Sequence, residues 1–153
     1  ISGLVLFHST ALADSDEKKA NRNKVIEFVD RNGAVAFTGN FIPPLFESHD
    51  HPSISDVRAI AANATAEAVI GYTRSMRDRP DRTDVLKQFH KPILVIGGVA
   101  DQGIPPATLT NQAALSPKIK LELLTGVGHM GMFENPDKTA SLINQFVRES
   151  NRL

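Results

Sequence analysis

Two residues of this chain have types and surroundings suited to proton chemistry, and both stand at the same kind of place. Asp101 follows the apolar run Pro92-Ile-Leu-Val-Ile-Gly-Gly-Val-Ala and precedes Gln-Gly-Ile104-Pro105. His129 follows the apolar run beginning at Ile119 and sits within Gly126-Val-Gly128-His129-Met130-Gly131. A carboxylate emerging at a strand end can fix the tautomer of an imidazole and stabilise its protonated form. Histidine in turn suits proton shuttling near neutral pH. Flanking glycines let the backbone turn sharply and bring the imidazole edge into a crowded site. Acid and histidine together make two-thirds of a serine–histidine–aspartate set. Each has a plainer alternative. Asp101 could simply cap the helix that opens at Pro105, and His129 could be hydrogen-bonded within its loop. The glycine context and the preceding acid strand favour the pair.

Other candidates are weaker. His49-Asp50-His51 places two histidines at i, i+2 beside a proline with no third ligand nearby, which reads as a solvated loop rather than a metal site. No metal is expected. Gly97-Gly98 lacks the spacing of a dinucleotide or phosphate loop, so no cofactor is expected either. Met130, Met132 and Phe133 read as packing. Arg74, Arg77, Arg79 and Arg82 alternate with Asp78, Asp81 and Asp84, the pattern of a solvated face.

The elements that must position the pair follow from periodicity. Gly3 to His8, Pro92 to Val99 and roughly Lys120 to Leu124 are apolar strands; the first lacks alternation, as in a parallel sheet covered on both faces. Asp14-Ser15-Asp16-Glu17 opens a helix that should stop at Asn32-Gly33. Ala34 to Phe46 has no clear period; its apolar residues, Phe37 and Phe41 among them, would form lid core or line an apolar pocket. Ser53 opens one longer helix carrying Val57, Ala61, Ala64, Ala68 and Tyr72 on one face. Further helices are expected over Val85 to Phe89, from Pro105 to before Pro117, and from Pro136 onward. The last should turn Leu142, Ile143, Phe146 and Val147 inward and fray from Arg148 to Leu153. The order is strand, helical insertion, then helix-strand-helix-strand-helix, which means a parallel α/β sheet. The insertion leaves from a strand end, where such folds place binding loops.

At 153 residues, the chain can bury one core plus a small lid. Seventeen Lys and Arg balance seventeen Asp and Glu, so no net field points to nucleic acid or an acidic membrane surface. There is no cysteine, hence no disulfide framework, thiolate metal site or cysteine nucleophile. No apolar run is long enough to span a bilayer. The sequence opens at Ile1, almost in mid-strand, which reads as a piece of a longer protein; a cytoplasmic location is the default expectation.

Asp101-x-x-Ile104-Pro105 after a strand, then Gly128-His129 with Glu134 and Pro136 downstream, resembles the C-terminal part of an α/β-hydrolase of the small esterase, lactonase and iminopeptidase type. The resemblance makes Gly3 to Thr10 the sixth strand of that fold, Pro92 to Val99 the seventh and Ile119 to Leu124 the eighth. It implies that residues 1–13 and 83–153 belong to the core and 14–82 to a helical cap. It also implies Asp101 as triad acid and His129 as general base. The family's serine stands in a Gly-x-Ser-x-Gly turn upstream of the lid. No such turn occurs here. Ser9, at the start of the lid, is no substitute. Without nucleophile and oxyanion hole the chain alone is expected to hydrolyse nothing measurable, whereas a parent carrying them would cleave a carboxylic ester, lactone or small amide. The rival expectations are a hydrolase-like binding protein without a working serine, and a dehalogenase-type relative with an aspartate nucleophile. The partner expected for the parent is a small-molecule substrate. For the chain alone it is a second copy, recruited by the unpaired edge of the first strand.

Overall fold

Three largely apolar runs become strands, the central one buried throughout and the last carrying Lys120 and Glu122 on a partly open face. In the computed structural model, which describes residues 1–151, they are β1 (Leu4–Phe7), β2 (Ile93–Gly98) and β3 (Ile119–Leu124). Arg152 and Leu153, the end of the expected frayed segment, lie outside the described residues. Among the described residues the strands form one parallel sheet in the order β1-β2-β3. Leu4 stands beside Ile93, and Ile93 beside Ile119.

The helices are α1 (Asp16–Asn32), α2 (Ala34–Phe41), α3 (Ile54–Ala61), α4 (Ala66–Asp78), α5 (Thr83–Gln88), α6 (Pro106–Ala113), α7 (Gly131–Glu134) and α8 (Pro136–Ser150). Alternate strand residues go to opposite faces. Leu94 and Ile96 pack with Val5, Phe7, Leu142 and Phe146 on the α8 side. Ile93 and Val95 pack with Leu4, Leu6, Leu86 and Leu109 on the side of α5 and α6. Ile93 through Ile96 are at most 1% exposed. Each such side chain contributes about 1.5–3 kcal/mol by leaving water.

Helices α1 to α4 form a separate layer in which α1 packs chiefly along α4. Ser15 caps α1 by accepting the Lys18 N–H at 3.2 Å, and Gly33 ends it at φ 81. The aperiodic segment 34–46 resolves into α2 and a short 3-10 turn, Pro43–Leu45. The helix expected from Ser53 through Tyr72 is two helices. Asn63 turns its amide back to the carbonyls of Ala59 and Ile60. Thr65 then adopts an extended conformation and caps α4 by accepting the Ala68 N–H at 3.1 Å. Side chains of this type compete with the helical ladder and restart it. Helix α6 is shorter than expected, ending at Ala113. Val147 faces solvent while Leu142 and Phe146 face the sheet, which narrows the apolar stripe of α8.

The two core strands end where backbones touch. A Cβ on Gly98 would run into the carbonyls of Val127 and Gly128, which are main chain and have little room to move. Gly71, inside α4, has nothing within 4 Å of an added Cβ. Gly98→Ala should therefore destabilise the fold by at least about 1–3 kcal/mol, whereas Gly71→Ala should stabilise it by about 1 kcal/mol. Urea midpoints of the two variants check this; equal shifts would remove the backbone contact as a constraint.

Candidate active site

Asp101 leaves β2 just past its glycines, and the turn that follows folds back onto its side chain. Oδ1 accepts the N–H groups of Gly103 and Ile104, each at 2.9 Å. Oδ2 accepts from Nδ1 of His129 at 2.8 Å and from Nδ1 of His8 at 3.2 Å. Four donors thus fill the roughly four acceptor positions of a carboxylate. Burial by itself would raise the carboxyl pKa. The hydrogen bonds from His129, His8 and Ile104, with the charge of His129, outweigh it and hold Asp101 well below the usual carboxylate range.

His129 is placed by its neighbours. The N–H groups on either side of it, those of Gly128 and Met130, both donate to the Glu134 carboxylate at 3.0 Å. The same carboxylate accepts the Glu47 N–H at 2.6 Å, and the His129 N–H donates to the Leu45 carbonyl at 2.6 Å. Gly128 has to be small here, since a Cβ would lie 2.7 Å from the Leu45 oxygen and 2.8 Å from the Glu47 nitrogen. Nε2 of His129 has no hydrogen-bond partner among the described residues, and the side chain is 31% exposed. It lines a cavity of about 340 Å3 with Leu45, Met76, Ile104, Arg22 and Arg79. An imidazole held at Nδ1 by a carboxylate and open at Nε2 can take a proton from one group and return it to another.

The two expected residues therefore meet. His49 and His51 do not join them: His51 stacks on Phe46 at 5.1 Å and accepts the Ser53 N–H through Nδ1. Asp50 is bonded by Ser48 instead. Ser9 lines the cavity but makes no hydrogen bond to His129 among the described residues. Met130 and Phe133 pack against Ile42, Phe46 and Ile54, and Met132 faces outward.

Sequence reasoning missed His8. It ends β1 at φ 43, in the left-handed region, with its ring buried edge-on to Phe7 and 5.5 Å from the ring of His129. Its Nε2 is buried without a partner against Gly131, where a Cβ would come within 2.5 Å of it. Ligand-type atoms of His8, Asp101 and His129 lie within 4.8 Å of one another. Both short contacts, however, run from an imidazole nitrogen to one carboxylate oxygen, the geometry of N–H donors on a common acceptor. Arg79 was also misread. It leaves the solvated face and donates to buried Asp14 at 2.8 Å.

A parallel sheet with an inserted helical layer, and an acid and a histidine at adjacent strand ends, defines a class of fold with many solved members. A thermophilic esterase from Thermogutta terrifontis, solved with malate bound, superposes with a TM-score of 0.87 at 31% identity, over 97% of this chain and 56% of that one. The enol-lactonase from Burkholderia xenovorans LB400 gives 0.84 at 18% identity, over 97% and 56%. A pimeloyl-[acyl-carrier protein] methyl ester esterase from Xanthomonas oryzae pv. oryzae is 28% identical over 98 residues, 61% of this chain and 39% of that protein. No family model matches. The chain has the α/β-hydrolase fold and spans little more than half the length of these solved members.

Glu134→Gln should lower stability by about 1.5–3 kcal/mol, since an amide cannot accept three N–H groups as a carboxylate does. Amide exchange should speed up first at Glu47, Gly128 and Met130; unchanged exchange there would remove Glu134 as the clamp. Asp101 also carries a pH signature. An unfolded aspartate titrates near roughly 3.9, and the folded value is lower. Its contribution is complete above the unfolded value and is lost as pH falls through the folded one, from about pH 5 downward. Wild type should lose stability over that range more steeply than Asp101→Asn, as pH-dependent denaturation will show.

Proposed function

We propose that this chain supplies the acid and the base of a serine hydrolase acting on a carboxylic ester, lactone or small amide through an acyl-enzyme. The observation that carries it is the Asp101–His129 hydrogen bond of 2.8 Å with the far ring nitrogen open to a cavity. The named chemistry of the relatives, esterases and an enol-lactonase, leans the same way. The serine would lie in a segment outside these 153 residues. His129 would take its proton during acylation, return it to the leaving group, and then activate water. Asp101 would orient the ring and stabilise the imidazolium.

A second cavity, about 400 Å3, opens inside the helical layer and is lined by Val25, Phe37, Phe41, Leu45, Val57 and Met76. Phe41, Leu45 and Met76 also line the cavity at His129, so an apolar acyl or alkyl group would extend into the layer. Strand β1 has no strand partner on its outer edge among the described residues. That edge would receive the segment carrying the serine, and in the chain alone it would pair with a second copy. No helix among the described residues is long and apolar enough to cross a membrane.

The test compares the chain with a longer polypeptide that also carries a Gly-x-Ser-x-Gly turn. On short p-nitrophenyl esters the longer protein should be active, and His129→Ala should lower kcat/KM by about 10^4-fold or more. The chain alone should be inactive and should scatter light as an oligomer. Activity indifferent to His129→Ala would overturn the assignment, and a clean monomer of the chain would remove the role given to the β1 edge.

A further inference from the structure

Asp14, where the chain leaves the sheet for α1, has a fully buried side chain. Its Oδ2 accepts from Nε of Arg22 at 3.1 Å and its Oδ1 from Nη2 of Arg79 at 2.8 Å. Arg22 comes from α1 and Arg79 from the end of α4, and their side chains remain 28% and 32% exposed. All three residues line the cavity that holds His129, together with Lys18, whose Nζ donates to the Gly103 carbonyl at 3.3 Å.

The charges do not balance within this cluster. One carboxylate stands against two guanidinium groups and an ammonium. Asp101, behind His129, has its acceptor positions already filled. If satisfying Asp14 were the only task, one arginine in a two-point contact would do it. Instead each arginine gives a single nitrogen. Both Nη groups of Arg22 and Nη1 of Arg79 have no protein partner among the described residues, and Nε of Arg79 is buried without one. Asp14 thus holds two forks at the cavity wall with most of their donors unpartnered among the described residues. Arginine forks match carboxylates in shape as well as charge.

We infer that Arg22, Arg79 and Lys18 form an anion subsite that takes a carboxylate carried by the substrate, beside the carbonyl served by His129. The preferred substrate class is a hemiester of a short dicarboxylic acid. The ester half of this statement rests on the proposed hydrolase activity; the carboxylate half rests on the cationic cluster alone.

Two measurements separate those halves. The first uses the chain itself at low ionic strength, titrated with succinate and with succinamide, its neutral counterpart, and followed by NMR. Succinate should bind saturably and succinamide should not. Arg22→Gln and Lys18→Gln should each weaken succinate about tenfold or more, and Arg22→Lys should restore part of the loss. Succinate binding no better than succinamide in wild type overturns the subsite whatever the variants do. The second uses the longer polypeptide and compares kcat/KM for monomethyl succinate and methyl butyrate. A hemiester preference of about tenfold or more, reduced by Arg22→Gln, supports the subsite. Equal hydrolysis of the two esters overturns the substrate preference and leaves the hydrolase reading intact. Succinate binding to the chain without hydrolysis of either ester leaves the subsite and removes the hydrolase reading.

Discussion

Three stretches of backbone meet with no side chain between them, and the position of His129 depends on that meeting. Gly98 at the end of β2 abuts the carbonyls of Val127 and Gly128, and Gly128 abuts Leu45 to Glu47. Backbones this close exclude water, so their N–H groups need acceptors inside the protein. Glu134 provides them for Gly128, Met130 and Glu47, and the Leu45 carbonyl receives His129 itself. One carboxylate thereby fixes both flanks of the histidine and the neighbouring turn. Charged acceptors make the stronger hydrogen bonds, which suits a junction that fixes a ring in place.

The second constraint is the sharing of one oxygen by two imidazoles. Both Nδ1 atoms approach Oδ2 of Asp101, but the far nitrogens see different surroundings. A proton on Nε2 of His8 would be a buried donor facing the bare Cα side of Gly131, at a cost of about 1–3 kcal/mol. A proton on Nε2 of His129 meets the cavity. The geometry therefore leaves the far nitrogen of His129 open to the cavity, while that of His8 is shut in and its ring steadies the carboxylate. The left-handed backbone of His8 belongs to the same arrangement, because a non-glycine residue holds that conformation only where its surroundings over-determine it.

Strands β1 and β2 were legible because the apolar clusters on the two faces of the sheet both include them, so they read as continuous apolar runs. Asp101 and His129 were legible because each is the one ionisable residue at such a strand's end among glycines. The partners that complete the site were not. His8 lies 93 residues from Asp101 along the chain, and Arg79 lies 65 from Asp14; nothing local in sequence announces either contact. The Arg and Asp residues around Arg79 do form a surface pattern, and one member of the pattern turns inward. The break between α3 and α4 was hidden for a different reason. Val57, Ala61, Ala64 and Ala68 keep a helical period across it, while Asn63 and Thr65, which make the break, act through side-chain hydrogen bonds. Apolar period outweighed capping chemistry in the expectation, and capping chemistry won in the fold.

The helical layer is tied to the site at its edge in more than one way. His129 bonds Leu45, Glu134 bonds Glu47, and Lys18 bonds the turn of Asp101 through Gly103. Ile42, Phe46 and Ile54 share an apolar cluster with Met130 and Phe133, on either side of the bond to Glu134. Positioning errors of about 1 Å are enough to cost large factors in rate, so a layer free to slide would spoil the imidazole it covers. The turn from Pro43 to Glu47 is therefore part of the site by mechanics. A shift of this turn would carry His129 away from its place.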